Sequence, residues 1–409
     1  MDIQPERAVV VLADCGEYDV DEALSELSAL CDTAGAIVVA EVVQQRDKPD
    51  KATYIGMGRL AETKDLCSRL NADLVIVNDE LSGSTLRNME SILETDVIDR
   101  TTLILDIFAR SAVTAEGKLQ VELAQLNYRL PRLIGAGDAL SRQGGGIGTR
   151  GPGESKLEND RRYIRSRAAA LRDRIETLKK QREQTRRTRT KSGVPVVALV
   201  GYTNVGKSSL MNALTGSSVL AQDRLFATLD PTARRLEVAN LQQVVLVDTV
   251  GFVSRLPHTL VDAFKSTLEE ICYADLILKV ADASSEVWEE RLALTDSVIS
   301  ELGCGDIPTI TVFNKCDTID TFGAMPGIHV SAKTGMGLDD LLHAISEALS
   351  QRVVECTLCL PFDQLGLAAQ IRQQGNITSE EYTEDGCLIT ATVNRTMFDK
   401  ISRYIITEK

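Results

Sequence analysis

The spacing Gly201-Tyr-Thr-Asn-Val-Gly-Lys207-Ser208 sets two glycines, a lysine and a hydroxyl where they can act on one anion. Glycines let backbone N–H groups close around phosphate oxygens. Lys207 would reach the β- and γ-phosphates of a nucleotide, and the Ser208 hydroxyl would ligate Mg²⁺. The apolar stretch Val194–Val200 precedes this run and Ser209-Leu-Met-Asn-Ala-Leu214 comes after it. Strand, glycine loop and helix start therefore come in the order a phosphate cradle needs, and the helix N-terminus adds partial positive charge. The expected contacts are Gly201, Tyr202, Thr203, Asn204, Val205, Gly206, Lys207, Ser208 and Ser209. A plain glycine turn opening a helix has the same spacing, so the motifs further along the chain carry the weight.

Val244-Val-Leu-Val247 reads as a buried strand ending in Asp248-Thr-Val-Gly251. An Asp at such a strand end can hold the Mg²⁺ shell through water, and a Gly lets a backbone N–H approach a γ-phosphate. Thr309-Ile-Thr-Val-Phe313 is a further apolar strand, ending in Asn314-Lys315-Cys-Asp317. The Asp317 carboxylate can accept from N1–H and the N2 amine of guanine, and adenine offers neither donor. A site built on such donors discriminates by ~10⁴–10⁵, because the wrong base leaves the carboxylate unpaired. Ile328-His-Val330 leads into Ser331-Ala332-Lys333, a loop expected to offer the Ala332 N–H to guanine O6 and the Lys333 stem beside the base. Each motif alone is weak. Four in order, each at the C-terminal end of a predicted strand where α/β sheets bind ligands, specify a guanine nucleotide.

Between Gly216 and Arg235 lies Leu225-Phe-Ala-Thr-Leu-Asp-Pro-Thr232, a segment of little periodicity. A loop here could place a Thr hydroxyl on Mg²⁺ only when a γ-phosphate is present; Thr228 is the first choice and Thr232 the second. Hydrolysis also needs an oriented water, often held by a Gln just after the Asp-x-x-Gly. Here Phe252 stands there, and Phe cannot hydrogen-bond water. Asn204 either holds a monovalent cation such as K⁺ against the phosphates or caps the loop. The catalytic set expected is Lys207, Asn204, Thr228 and Gly251, with Ser208, Thr228 and Asp248 around the metal.

At this point the chain resembles the HflX family of translational GTPases, near the Obg group. Leu225–Thr232 matches the family's switch I, and Asp248-Thr-Val-Gly-Phe252 its switch II with a hydrophobic residue in place of Gln. Leu256–Lys265 and Ser266–Glu270 resemble the next helix of the family. Upstream, Gly117–Leu126 and the glycine-rich Ser141–Glu154 are highly specific to the family, and Tyr54-Ile-Gly-Met-Gly58 resembles its N-terminal glycine turn. The match weakens after Ser350. The resemblance implies binding to the large ribosomal subunit, splitting or rescue of ribosomes, and GTP hydrolysis stimulated by the ribosome.

Positioning these motifs takes several elements. Ala8–Leu12, Ala36–Ala40, Asp73–Val77 and Thr102–Leu105 read as strands; Asp19–Thr33, Gly58–Leu70 and Ser84–Glu94 read as helices. Together they form a small α/β domain. Leu119, Leu123, Leu126, Leu130 and Leu133 form a heptad-like seam, as do Ile164, Ala168, Leu171, Ile175 and Leu178. Two such helices pack as an antiparallel hairpin, with Pro131 ending or bending the first and a glycine-rich loop from Ile134 to Gly153. The tail from Arg352 reads as strand, helix, two strands and a closing helix over Thr396–Ile406, a module for partner binding or structural support. The fold class is α/β multidomain. A P-loop GTPase domain (194–350) comes after a small α/β domain (1–115) and an antiparallel helical hairpin (116–193), and precedes a small α+β module (351–409).

The 409 residues carry a formal charge of −14, which excludes a protein that coats nucleic acid uniformly. From Ser141 to Lys191, however, 16 Lys/Arg face 6 Asp/Glu, a net of +10 that leaves −24 elsewhere. This is an electrostatic footprint for RNA backbone, with Arg142, Arg150, Arg186, Arg187 and Arg189 as the expected contacts. No apolar run reaches membrane length. The start, Met1–Glu6, is neither a transit nor a signal peptide. The nine cysteines read as reduced cytosolic thiols, so a cytoplasmic monomer is expected. The reading is a GTPase that turns GTP into GDP and phosphate on the large subunit. The alternatives are a GTP switch acting on a protein effector without RNA, and ATP- or GTP-driven RNA remodelling.

Overall fold

The computed structural model describes residues 5–141, 152–192, 194–216, 225–226, 232–238, 243–255, 260, 268–320, 325–350, 353–374, 376–383 and 386–408. Packing divides the chain into two compact units; one boundary falls inside a long helix, between Leu178 and Lys179, and of the later described residues 225–226, 255 and 260 also belong to the first unit.

In the first unit, β1 (Glu6–Asp14), β2 (Ala36–Gln45), β3 (Leu74–Val77) and β4 (Asp96–Asp99) form a parallel sheet in the order β2-β1-β3-β4. Parallel neighbours need crossover connections, and α1 (Val20–Ala34), α2 (Met57–Leu70) and α3 (Gly83–Leu93) supply them. Ala8 to Leu12 are fully buried, as befits a strand covered on both faces. The Asp19 side chain caps α1 by accepting from the Glu22 N–H at 2.8 Å.

Thr102–Leu105 is not a strand. It lies in helix α4 (Arg100–Ser111), and the fourth strand is the short β4 just before it. Two causes combine. Asp99 accepts from the Thr102 N–H at 2.9 Å and so caps a helix. Leu103, Ile104, Ile107 and Phe108 are buried at helical spacing.

Two helices come next, α5 (Ala115–Ser141) and α6 (Pro152–Ser192). They run antiparallel. Arg167 pairs with Glu122 at 2.7 Å, Arg172 donates to Asn127 at 3.1 Å, and Arg161 donates to the Leu133 carbonyl at 3.4 Å. Pro131 does not end α5, which continues to Ser141, so residues 134–141 are helix rather than loop. The carbonyl that Pro131 orphans, one turn back, belongs to Asn127, which is exposed to water. Residues 142–151 lie outside the described residues. The hairpin is tied to the sheet through buried Asp99. Its carboxylate accepts from the Leu81 N–H, the Tyr128 hydroxyl and Arg132, the last at 2.9 Å.

The second unit holds β5 (Val196–Gly201), β6 (Thr232–Glu237), β7 (Gln243–Asp248), β8 (Leu276–Asp282), β9 (Thr309–Asn314) and β10 (Ile328–His329). The sheet order is β10-β9-β8-β5-β7-β6, parallel except for edge strand β6. Helices α7 (Lys207–Thr215), α8 (Trp288–Glu301) and α9 (Leu338–Ser350) accompany it. A second, antiparallel sheet has the order β12-β13-β11-β14, built from β11 (Val353–Leu360), β12 (Asn376–Thr383), β13 (Gly386–Asn394) and β14 (Ile405–Glu408). Helix α10 (Leu365–Gln374) and helix α11 (Arg395–Ile401) belong to the same module. The expected closing helix over Thr396–Ile406 stops at Ile401. The chain then adds β14 to the free edge of β11, which covers an otherwise unpaired strand.

Cys272 and Cys304 are joined by a disulfide, with Cα atoms 5.0 Å apart, contrary to the expectation of reduced thiols throughout. The other seven cysteines are free, and Cys356 and Cys359 differ in burial as strand alternation requires.

Asp99→Ala should remove the acceptor shared by the Leu81 N–H, the Tyr128 hydroxyl and Arg132, leaving Arg132 with the Leu81 carbonyl at 2.7 Å and Glu80 at 3.6 Å. Losing a buried hydrogen bond to a charged group costs about 1.5–3 kcal/mol, so urea denaturation of the full chain should show the first unit's transition moved to lower urea.

Candidate nucleotide site

The parallel strands β5, β7, β9 and β10 bring their C-terminal ends to one edge of the sheet, and the four sequence motifs meet there. Gly206 precedes α7 with φ at 87°, in the left-handed region. A Cβ at this position would lie 2.4 Å from the Asn314 amide nitrogen, so only glycine lets the loop close on β9. Asn204 also has positive φ, at 61°, which Asn tolerates better than most residues. Its side chain is exposed and makes no hydrogen bond among the described residues, so it does not cap the loop. Val205 and Thr203 are buried, and Ser209 sits in the first turn of α7.

Lys207 is only 7% exposed. Its ammonium donates to the carbonyls of Gly201 at 3.0 Å and Tyr202 at 2.8 Å. An ammonium has three protons, and two of them are used here to aim the group across its own loop. Burial pulls its pKa down to about 8, with Asp248 opposing. An anion in the loop would restore the charge that burial disfavours.

Asp248 ends β7 and is 1% exposed. It accepts from the Ser208 hydroxyl at 2.6 Å. A hydroxyl and a carboxylate side by side are hard oxygen donors of the kind Mg²⁺ takes. Among the described residues no group of three or more His, Cys, Asp or Glu could hold a metal. Thr228 lies outside the described residues. Thr232, the second choice, opens β6 directly across from Asp248.

Gly251 lies against the loop. A Cβ there would fall 2.8 Å from the Thr203 methyl and 2.9 Å from the Lys207 nitrogen. Phe252 is buried, and no side chain at this position reaches for water.

The base side is held by a second set of bonds. Asn314 is 2% exposed; its amide donates to the Val205 carbonyl at 2.9 Å and its oxygen accepts from the Ala332 N–H at 3.0 Å. It therefore welds the phosphate loop to the Ser331–Lys333 loop. The Ala332 N–H, expected on guanine O6, is bonded to Asn314 instead. Asp317 is exposed, and the Ser331 hydroxyl bonds its carboxylate at 2.7 Å. That bond, then the carboxylate's bond to its own backbone N–H and nearby Lys333, holds the carboxyl below its usual range, so it is an anion at neutral pH. Lys315 has φ at 64° and pairs with Asp282 at 2.7 Å. Asp282 belongs to none of the four motifs, although it ends the apolar run of β8 as Asp248 ends β7.

Of the RNA-contact candidates, Arg142 and Arg150 lie outside the described residues. Arg186, Arg187 and Arg189 lie on α6, with side chains outside the described set. Nearer the start of that basic run, Lys179 pairs with Glu269 at 3.2 Å and Arg182 with Glu270 at 3.6 Å.

Four family descriptions match the chain in succession. They are the GTP-binding GTPase N-terminal region over residues 21–109 and the GTP-binding GTPase middle region over 111–189. The 50S ribosome-binding GTPase matches 196–315, and the HflX C-terminal domain 322–403. The GTPase HflX of Caldanaerobacter subterraneus subsp. tengcongensis is 47% identical over 403 residues, covering 98% of this chain and 94% of that one. The chain belongs to the HflX family of GTPases. The Escherichia coli K12 GTPase HflX is 43% identical over 390 residues, 93% of this chain and 92% of its own. Among solved structures, the SsGBP–GDP complex is 25% identical and covers 85% of this chain and 99% of its own, with a TM-score of 0.50. As an HflX GTPase the protein is a GTP hydrolase, and the strand-end edge is the place on it with a phosphate loop.

The depressed Lys207 pKa has a consequence for binding. The empty site loses its proton above about pH 8, whereas a bound triphosphate favours the ammonium. GTP affinity should therefore be flat below about pH 7 and fall by up to about fivefold between pH 8 and 9, measured by fluorescent-nucleotide titration. A flat profile through pH 9 would refute the buried-ammonium account. Gly251→Ala should retain GDP binding and lose most GTP hydrolysis, because its methyl would press on Lys207 and Thr203; phosphate-release kinetics check this.

Proposed function

We propose that this HflX GTPase binds the large ribosomal subunit through its RNA and splits or rescues ribosomes, with GTP as the timer. The observation that carries the reading is the charge on and beside α6: +10 within a chain of −14. Lys179 and Arg182 are matched by Glu269 and Glu270, whereas Arg186, Arg187, Arg189 and Lys191 follow one another with no acidic residue among them. Phosphate contacts of this kind give affinity that depends on salt.

In the reaction we assign, GTP and water give GDP and phosphate. Lys207 offers its third proton to the phosphates, and Gly251 offers its N–H to the γ-phosphate. Ser208 and Thr228 would hold Mg²⁺ with Asp248 behind them; the ion, when bound, would neutralise charge on the phosphoryl oxygens. Asp317 reads the guanine edge, with Lys333 beside the base. Exposed Asn204 is free to hold K⁺ against the phosphates. With Phe252 in place of a water-orienting Gln, basal hydrolysis is slow until the ribosome supplies the missing group. The domain division at 115, 193 and 350 belongs to this reading, as do a cytoplasmic location and a monomer. None of the described helices is long and apolar enough to cross a membrane.

The adenine-driven alternative gains nothing from the first sheet. At the C-terminal edge of β1 and β3, the Tyr54 hydroxyl accepts from the Ala13 N–H at 2.9 Å and donates to Asp79. There the phenol is committed to Ala13 and Asp79, and the Asp79 carboxylate would repel a polyphosphate.

Co-sedimentation with purified large subunits tests the proposal. Binding should be tight with a non-hydrolysable GTP analogue, weak with GDP, and fall with a log–log salt slope of ~0.7–0.9 per phosphate contact. Charge reversal at Arg186, Arg187 and Arg189 should abolish it. Binding that survives the reversal would favour the protein-effector switch. Separately, Asp317→Asn should move preference from GTP toward xanthosine triphosphate in a competition assay; unchanged GTP selectivity would remove Asp317 from the base site.

A further inference from the structure

We propose that Tyr202 is a positioning residue for GTP hydrolysis, whose hydroxyl fixes the backbone after Gly251 so that the Gly251 amide faces the γ-phosphate position. Tyr202 is the second residue of the phosphate loop and is 3% exposed. Its phenol oxygen accepts from the Ser254 N–H at 2.7 Å and is also 2.7 Å from the Ser254 hydroxyl. A phenol has one proton to give and lone pairs to accept, so both bonds can be made together.

The contact continues a short parallel bridge between Tyr202 and Phe252. The Phe252 N–H donates to the Gly201 carbonyl at 3.1 Å, and the Thr203 N–H donates to the Phe252 carbonyl at 2.7 Å. Phosphate loop and γ-phosphate sensor are thus zipped together over three residues on each side. The Arg291 guanidinium, from α8, lies 4.7 Å from the Tyr202 ring centroid and clamps the ring from behind.

The arrangement bears on hydrolysis through one atom. Lys207 donates to the Tyr202 carbonyl, and the Gly251 Cα is so close to the Lys207 nitrogen that a Cβ would be 2.9 Å from it. Tyr202 therefore sits between the group that binds phosphate and the segment that senses it. In this chain the residue after Gly251 is Phe252, whose side chain offers no hydrogen bond to water or phosphate. The backbone placement of residues 251–254 then carries what a Gln side chain would otherwise share, and the Tyr202 hydroxyl is the side-chain group that fixes the far end of that segment.

The test compares the full-length wild type with Tyr202→Phe, which keeps the ring on Arg291 and removes only the hydroxyl. Expected are GDP affinity within about twofold, a five- to tenfold fall in the preference for a non-hydrolysable GTP analogue over GDP, and a similar fall in single-turnover hydrolysis. Ser254→Ala, which keeps the N–H bond, should have a smaller effect and add nothing in the Tyr202→Phe background. Equal loss of GDP and analogue binding would mean the tyrosine merely props the loop and would overturn the proposal. So would an unchanged preference and rate. Should the variant not fold, hydrogen exchange on the wild type decides: the Phe252 and Ser254 amides must be protected more by the analogue than by GDP. Equal protection in the two states contradicts the assignment.

Discussion

A lysine ammonium buried under its own loop is the constraint around which the nucleotide site is built. Lys207 can remain charged there only if oxygens surround it. Two are backbone carbonyls, from Gly201 and Tyr202. Asp248 adds a carboxylate field from the end of β7. The loop must therefore curl back, which Gly206 permits, and β7 must lie beside β5, which the strand order provides. Asn314 then closes the other side by bonding the Val205 carbonyl. The Gly201–Ser208 loop, Asp248 and the Ser331–Lys333 loop are thus one hydrogen-bonded body.

Much of this is legible in the sequence, because each motif sits at the end of a short apolar run and the runs are parallel strands. The spacing of Gly201–Ser208, Asp248–Gly251, Asn314–Asp317 and Ser331–Lys333 places all four at one edge. Who bonds whom is not legible. The Ala332 N–H goes to Asn314, and the Ser331 hydroxyl goes to Asp317. Both partners are more than a dozen residues away and within reach only after β9 and β10 pair. Asp282 is silent in the sequence for the same reason: its significance is its distance from Lys315, not its neighbours in the chain.

The elements that differ from expectation have local causes. Thr102–Leu105 is apolar and β-branched enough to pass for a strand, yet Asp99 caps it as a helix and the buried residues keep the helical period. Residues 134–141 precede a glycine-rich run and look like part of it, although α5 continues through them. At the other end of the chain, β14 is only four residues long, too short to declare itself without the edge of β11 to pair with. The disulfide between Cys272 and Cys304 joins positions 32 residues apart that no spacing rule connects.

The central claim is that the edge formed by β5, β7, β9 and β10 is a guanine-nucleotide site already shaped for a triphosphate. The most direct measurement is a crystal structure of the full chain with Mg²⁺ and a non-hydrolysable GTP analogue. The account predicts that Lys207 keeps its bonds to Gly201 and Tyr202 and adds a phosphate oxygen with its third proton, while Asp317 accepts from the guanine N1 and N2. An analogue bound elsewhere, or one that draws Lys207 away from both carbonyls, would contradict it.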